Sequence, residues 1–135
     1  MLIGLGASAI SQLPQGIVQN LTAELAWTQA VERGVLPSAR GVALTADDRL
    51  RGEIIERLMC DYEVDLAAVA RAHGVSAAAL AGADPALAEM VGDGLIVRAG
   101  STVRVTALGR PFVRAVCAAF DAYLDPGAVR HALAV

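Results

Sequence analysis

The residues able to do chemistry in this sequence are few and widely spread. Cys60, Cys117, His73 and His131 are its thiols and imidazoles, and their spacings are unrelated. A metal or iron–sulfur site needs converging thiolates, imidazoles or carboxylates, so no metal ligand set is expected within the chain. Nucleophilic catalysis fares no better, because no Ser or Cys stands in an elbow motif or at a spacing to His that suggests a triad. The acids Asp47, Asp48, Asp61, Glu63 and Asp65 read most simply as helix caps and solvated surface. Gly4-Leu5-Gly6-Ala7 follows only part of a phosphate-binding fingerprint, and no ribose-binding acid belongs to a βαβ unit at the usual distance. No catalytic residue is assigned, and taken alone the chain is expected not to be a complete enzyme.

The elements that would position any site are easier to read. The chain has 135 residues, of which 56% are hydrophobic, enough for one domain with a real core. Alanine and valine dominate over rings, which predicts closely approaching helices. All eleven basic residues are Arg, and the net charge is −3. That balance argues against a nucleic-acid or anionic-membrane partner, since both select a cationic surface. Cys60 and Cys117 lie in apolar helical runs and read as buried free thiols. The stretch from Met1 to Ile10 is broken by Gly4 and Gly6 and carries no basic residue, so it is neither a signal peptide nor a membrane span. A cytoplasmic, monomeric protein is expected.

Leu2 to Ser11 predicts a buried strand running into a glycine-rich turn. No partner strand is evident nearby, which suggests that the chain begins on the edge of something larger. Asn20 is placed to cap a helix over 21–32, stopped at Gly34, and residues 37–41 read as a linker. A second helix opens at Thr45 with Asp47 and Asp48 favouring its positive end. Leu50, Ile54 and Leu58 form its apolar stripe, and Glu53 pairs with Arg57 one turn on. Arg51 falls within that apolar arc, which calls either for a structural acid or for a ligand or interdomain contact.

From Asp65 onward the pattern is helix, turn, helix and hairpin. Asp65 caps a short helix through His73, whose imidazole is expected at the terminal carbonyls. Ser76 opens a helical stretch to Gly92 that breaks near Asp84-Pro85. Residues 95–98 and 102–106 then make a β-hairpin, completing a winged-helix signature. A last helix carries Phe112, Val113, Val116, Phe120, Tyr123 and Leu124 on one broad face and ends at Asp125-Pro126-Gly127, with Pro111 forcing a start near Arg110 or a kink. The stretch that would enter a DNA groove, Ser76 to Gly92, contains no Lys or Arg, which disfavours DNA binding despite Arg98 and Arg104 on the wing. The expected fold is mainly α with a small β-hairpin: a helical bundle containing a winged-helix-like module over 65–124, within a domain over 20–135, preceded by one strand over 1–19.

An ordered set of short motifs runs through nearly the whole chain. It comprises Gly4-Leu5-Gly6-Ala7-Ser8-Ala9-Ile10-Ser11, then Arg40-Gly41, Leu44, Asp47-Asp48, Arg51, Ile55 and Leu58-Met59-Cys60. It resumes at Asp93-Gly94-Leu95 and continues through Thr106, Gly109-Arg110, Val113-Arg114, Phe120-Asp121 and Tyr123-Leu124. In this order the set resembles the C-terminal end of the oxygen-independent coproporphyrinogen III dehydrogenases, also called anaerobic coproporphyrinogen oxidases, which are radical SAM enzymes of haem synthesis. Gly52 departs from the pattern, because the family often carries a second Arg there.

The resemblance implies an enzyme that oxidatively decarboxylates coproporphyrinogen III to protoporphyrinogen IX with a 4Fe-4S cluster and S-adenosylmethionine. The CxxxCxxC motif that holds the cluster is absent from this chain. By resemblance, residues 1–19 would be the closing strand and turn of a missing radical SAM barrel, with Ile10 offering backbone contact to S-adenosylmethionine. The rest would cover the substrate cleft and be inactive alone, and Arg51 or Arg114 would meet a substrate propionate or an interdomain acid. A related haem chaperone shares the Gly-Leu-Gly-Ala turn but usually has a histidine where this chain has Ile10. A stand-alone winged-helix interaction or DNA-binding module is the third reading.

Overall fold

The computed structural model describes residues 1–124. It falls into two compact units, Met1–Thr45 and the described residues from Ala46 onward, and each is built differently.

The first unit is a three-stranded antiparallel sheet with one helix. Strand β1 (Ile10–Leu13) pairs with β2 (Gly16–Asn20) across a Pro14-Gln15 turn, and β2 pairs with β3 (Ser38–Ala43). Helix α1 (Glu24–Glu32) lies between β2 and β3 in sequence. Three expectations change here. The strand lies at Ile10–Leu13 rather than at Leu2, and Leu2 and Ile3 are exposed, joined to the sheet only through the Leu2–Gln12 bridge. The supposed linker at 37–41 is largely strand, because Ser38–Ala43 satisfies its backbone on β2. Asn20 does not cap α1, which begins at Glu24: the hairpin register takes Asn20 as the end of β2, opposite Ser38.

The second unit has a closed core. Helix α2 (Ala46–Asp61) buries Leu50, Ile54 and Leu58, the stripe read from the four-residue spacing. Its chain reverses at Tyr62, in the left-handed region at φ 59°. Strand β4 (Glu63–Asp65) follows, and the Asp65 carboxylate accepts from the Ala67 and Ala68 amides to start α3 (Leu66–Ala72). The next helical stretch is divided as Asp84-Pro85 suggested, into a 3-10 segment (Ala77–Ala83) and α4 (Asp84–Gly92). Strands β5 (Ile96–Ala99) and β6 (Thr102–Val105) form the hairpin, and β4 joins it to give the order β4-β6-β5. A short 3-10 turn at Arg110–Phe112 leads into α5 (Val113–Ala118).

Leu50, Ile54, Leu58, Val64, Leu87, Ile96, Val103, Val116 and Phe120 interlock in one cluster. The last helix is shorter than its apolar face suggested. Val116 and Phe120 are buried, whereas Phe112, in the turn before α5, and Tyr123 and Leu124, beyond its end at Ala118, are exposed. Its expected end at Asp125-Pro126-Gly127 lies outside the described residues. Cys117 is buried but Cys60 is exposed at the end of α2, on the opposite side from the stripe. The fold is thus mixed α/β, with two small antiparallel sheets, rather than mainly helical with a single hairpin.

A clasp ties the hairpin to the segment after it. The Thr106 hydroxyl donates to the Gly94 and Leu95 carbonyls, and the Gly109 amide donates back to Thr106 Oγ1. Gly109 is pressed so closely on Leu95 that a Cβ there would stand 1.9 Å from its carbonyl oxygen. Gly52, in contrast, is exposed within α2 and a Cβ would meet open space. Gly109→Ala is therefore expected to cost about 3 kcal/mol by overpacking, and Gly52→Ala to add about 1 kcal/mol from helix propensity. Denaturant unfolding of the two variants should show these opposite signs.

Candidate functional site

In the first unit the glycine-rich turn sits on the outer side of β1. Gln12 exchanges both backbone hydrogen bonds with Leu2, at 2.8 and 2.9 Å. Successive residues of an antiparallel strand turn their N–H and C=O to opposite sides. Ile10, two residues before Gln12, therefore presents its N–H and C=O to the same outer edge. Gly4 lies against that edge: a Cβ on it would stand 2.6 Å from the Ile10 carbonyl oxygen. The Gly4 amide is held by Ser11 Oγ at 3.1 Å.

The turn itself is gripped from β2. Asn20 Nδ2 donates to the Gly6 carbonyl at 2.9 Å, and Gln19 Nε2 donates to the Ser8 carbonyl at 3.3 Å. Ser8 adopts the left-handed region at φ 59°, and its amide donates to the Leu21 carbonyl. Arg40 on β3 donates from Nε to Gln19 Oε1 at 2.8 Å. Gln19 and Asn20 escaped the sequence reading, which had given Asn20 to a helix cap. The available signal was two adjacent side-chain amides at the end of a strand that follows a glycine-rich turn.

In the second unit the polar side of α2 carries the notable charges. Arg51 donates to Asp47 Oδ2 at 2.6 Å and to the Phe120 carbonyl at 3.4 Å. Its place in the apolar arc thus has a structural use, tying α2 to the end of α5. Nearby, the Tyr123 hydroxyl donates to Asp48 at 2.8 Å, which holds the phenol proton and raises the Tyr123 pKa. Arg114 is exposed and forms no ion pair among the described residues. No contact among the described residues joins Arg51 to Arg114, and His131 lies outside the described residues.

His73 does not turn to the terminal carbonyls of α3. Its ring is 2.8 Å from Glu53 Oε2, while Arg57 binds Glu53 Oε1 through two nitrogens. The His73 hydrogen bond, then Arg57, holds the Glu53 carboxyl below its ordinary pKa. Cys117 Sγ lies 3.8 Å from the Ile55 carbonyl, and burial pushes its thiol pKa up, away from nucleophilic use. The hairpin arginines are neutralised in place, Arg98 by Asp84 and Arg104 by Glu63. No three His, Cys, Asp or Glu among the described residues come together to hold a metal, so this donor set does not fit an iron–sulfur cluster. No helix among the described residues is long and apolar enough to cross a membrane.

The model for the HemN C-terminal domain matches residues 44–112. The chain belongs to the HemN C-terminal domain family. Similar proteins agree with that placement. The chain is 43% identical over all its 135 residues to the oxygen-independent coproporphyrinogen III oxidase of Bradyrhizobium diazoefficiens. It is 38% identical over the same length to the enzyme of that name from Paracoccus denitrificans. It spans about 30% of the length of each of these two relatives. A solved structure, coproporphyrinogen III oxidase (HemN) from Escherichia coli, a radical SAM enzyme, superposes with a TM-score of 0.84 at 33% identity. That match takes in 91% of this chain and 29% of the other.

Within this HemN C-terminal domain the Glu53 cluster makes stability pH-dependent. A carboxylate whose folded pKa is depressed adds stability above its unfolded pKa and loses it as pH falls through the folded value. Glu53→Gln should therefore unfold more easily than the parent chain at pH 7. The gap should close as pH falls from about 5 to about 3, below the ordinary Glu value of about 4.3. Urea unfolding at both ends of that window is the check, and a constant gap would remove Glu53 as the cause.

Proposed function

We propose that this chain is the C-terminal part of an oxygen-independent coproporphyrinogen III oxidase, which oxidatively decarboxylates two propionates of coproporphyrinogen III in haem synthesis. The observation that carries the proposal is identity of 43% along the whole chain to a protein of that name, of which it spans 30%. Residues 1–19 then close a radical SAM barrel built by a preceding domain. The following helices and the winged-helix-like segment over 65–124 cover the substrate cleft.

A cluster and S-adenosylmethionine, held by residues of the preceding domain, would supply the radical chemistry. What this chain contributes is position. The Ile10 backbone, turned to the outer edge of β1 beside Gly4, is a suitable hydrogen-bonding contact for S-adenosylmethionine. Arg114, exposed and without an ion pair among the described residues, is suited to meet a propionate or an acid of the preceding domain. Arg51 serves first to hold Phe120 and Asp47, so its influence on substrate passes through the end of α5. The protein acts in the cytoplasm as a monomer. DNA binding is disfavoured, since Arg98 and Arg104 are already paired with acids.

The protein expressed from its complete reading frame and reconstituted without oxygen should convert coproporphyrinogen III to protoporphyrinogen IX. The 135-residue chain alone should not. Haem uptake without decarboxylation would instead favour the chaperone reading. In the active protein, Arg114→Met should raise the KM for coproporphyrinogen III by about tenfold, the scale of one charge-assisted contact. Unchanged kinetics would remove Arg114 from the substrate path.

A further inference from the structure

The glycine-rich turn closes on itself only through a long bond, from the Ala9 amide to the Gly6 carbonyl at 3.4 Å. Gly6 and Ser8 both have positive φ, and their carbonyls point at side chains rather than at the backbone of the sheet. Two adjacent residues on an antiparallel strand turn their side chains to opposite faces. Here both Gln19 and Asn20 nevertheless reach the same turn, and the register between them is shifted, which permits it. The Gln19 amide could rotate to offer either its oxygen or its nitrogen. Arg40 decides the matter, because a guanidinium only donates: it takes the oxygen at 2.8 Å and leaves the NH2 for Ser8.

We infer that Gln19 and Asn20 are positioning residues that fix the Gly6–Ser8 turn and so aim the outward Ile10 backbone, and that Arg40 sets the orientation of the Gln19 amide. The chain of contacts runs from β3 through Arg40 and Gln19 to Ser8, with Asn20 holding Gly6 in parallel. Beyond the turn, Asn20 N–H donates to the Ala9 carbonyl, the residue directly before Ile10. The Gln19 side chain thus acts two residues before the backbone group that the proposed function brings to S-adenosylmethionine, the Asn20 side chain four residues before it, and Arg40 acts through Gln19. The functional value of this clamp rests on that reading, whereas the clamp itself does not.

Glu and Asp separate the roles cleanly. Gln19→Glu keeps an acceptor for Arg40 but sets an oxygen against the Ser8 carbonyl, and Asn20→Asp does the same to Gly6. Arg40→Met leaves both donors in place and releases only the amide orientation. In the protein from its complete reading frame, hydrogen exchange at the Ser8 and Ala9 amides should quicken at least tenfold in Gln19→Glu and Asn20→Asp, and less in Arg40→Met. Exchange at Val64 and Val103 should not change, which guards against general unfolding. Unaltered exchange at Ser8 and Ala9 in both carboxylate variants would overturn the inference, as would an Arg40→Met effect equal to theirs for the part assigned to Arg40.

A second readout separates the clamp from its use. If the Ile10 backbone meets S-adenosylmethionine, the same variants should raise its KM about tenfold with kcat within about twofold, the pattern of lost uniform binding. Faster exchange with unchanged kinetics would uphold the clamp and refute the cofactor contact.

Discussion

The second unit depends on one stripe of side chains. Leu50, Ile54 and Leu58 are each no more than 2% exposed, and they lie four residues apart along α2. Full burial of such a side chain stabilises by about 2 kcal/mol. The stripe meets Val64 of β4, Val103 of β6 and Val116 and Phe120 at the other end of the chain. Everything polar on α2 follows from that orientation. With the stripe turned inward, Glu53 and Arg57 face out to receive His73, and Arg51 is left at the margin, where Asp47 and the Phe120 carbonyl engage it. The sheet β4-β6-β5 then needs only the Thr106–Gly109 clasp to secure the hairpin base.

The first unit is organised by backbone and amide hydrogen bonds instead. Gly16 and Ala30 are its buried residues, while Leu2, Ile3, Leu5, Ile10 and Val42 are all more than half exposed. The Trp27 indole N–H is buried without an acceptor among the described residues, and such donors ordinarily find one. An exposed apolar sheet with an unmet donor is what a piece cut from a larger packing arrangement should show. This agrees with a chain that spans about 30% of its relatives.

Much of the second unit was legible in the sequence because its signals are local. The Asp65 cap, the break at Asp84-Pro85, the hairpin over 95–106 and the four-residue stripe all appear where the residues put them. What failed was non-local. Strand β4 has three residues and no alternation to read, and it exists because β6 offers it a partner. Residues 37–41 looked like a linker until β2 supplied the ladder. Asn20 has the right chemistry for a helix cap and spends it on Gly6 instead. His73 likewise takes an acid twenty residues away in preference to the carbonyls next to it. Family resemblance supplied the candidate at Ile10, which no residue-type argument would select, because only its backbone is involved.

Under the proposed function the first unit is completed by the preceding domain, whereas the second is held by its own core. The most direct test is hydrogen exchange of the 135-residue chain beside the protein from its complete reading frame. The account predicts that amides in the ladder, such as Ser11, Val18 and Val42, exchange much faster in the isolated chain, while Val64, Val103 and Val105 are equally protected in both. Equal protection of Ser11, Val18 and Val42 in the two proteins would contradict it.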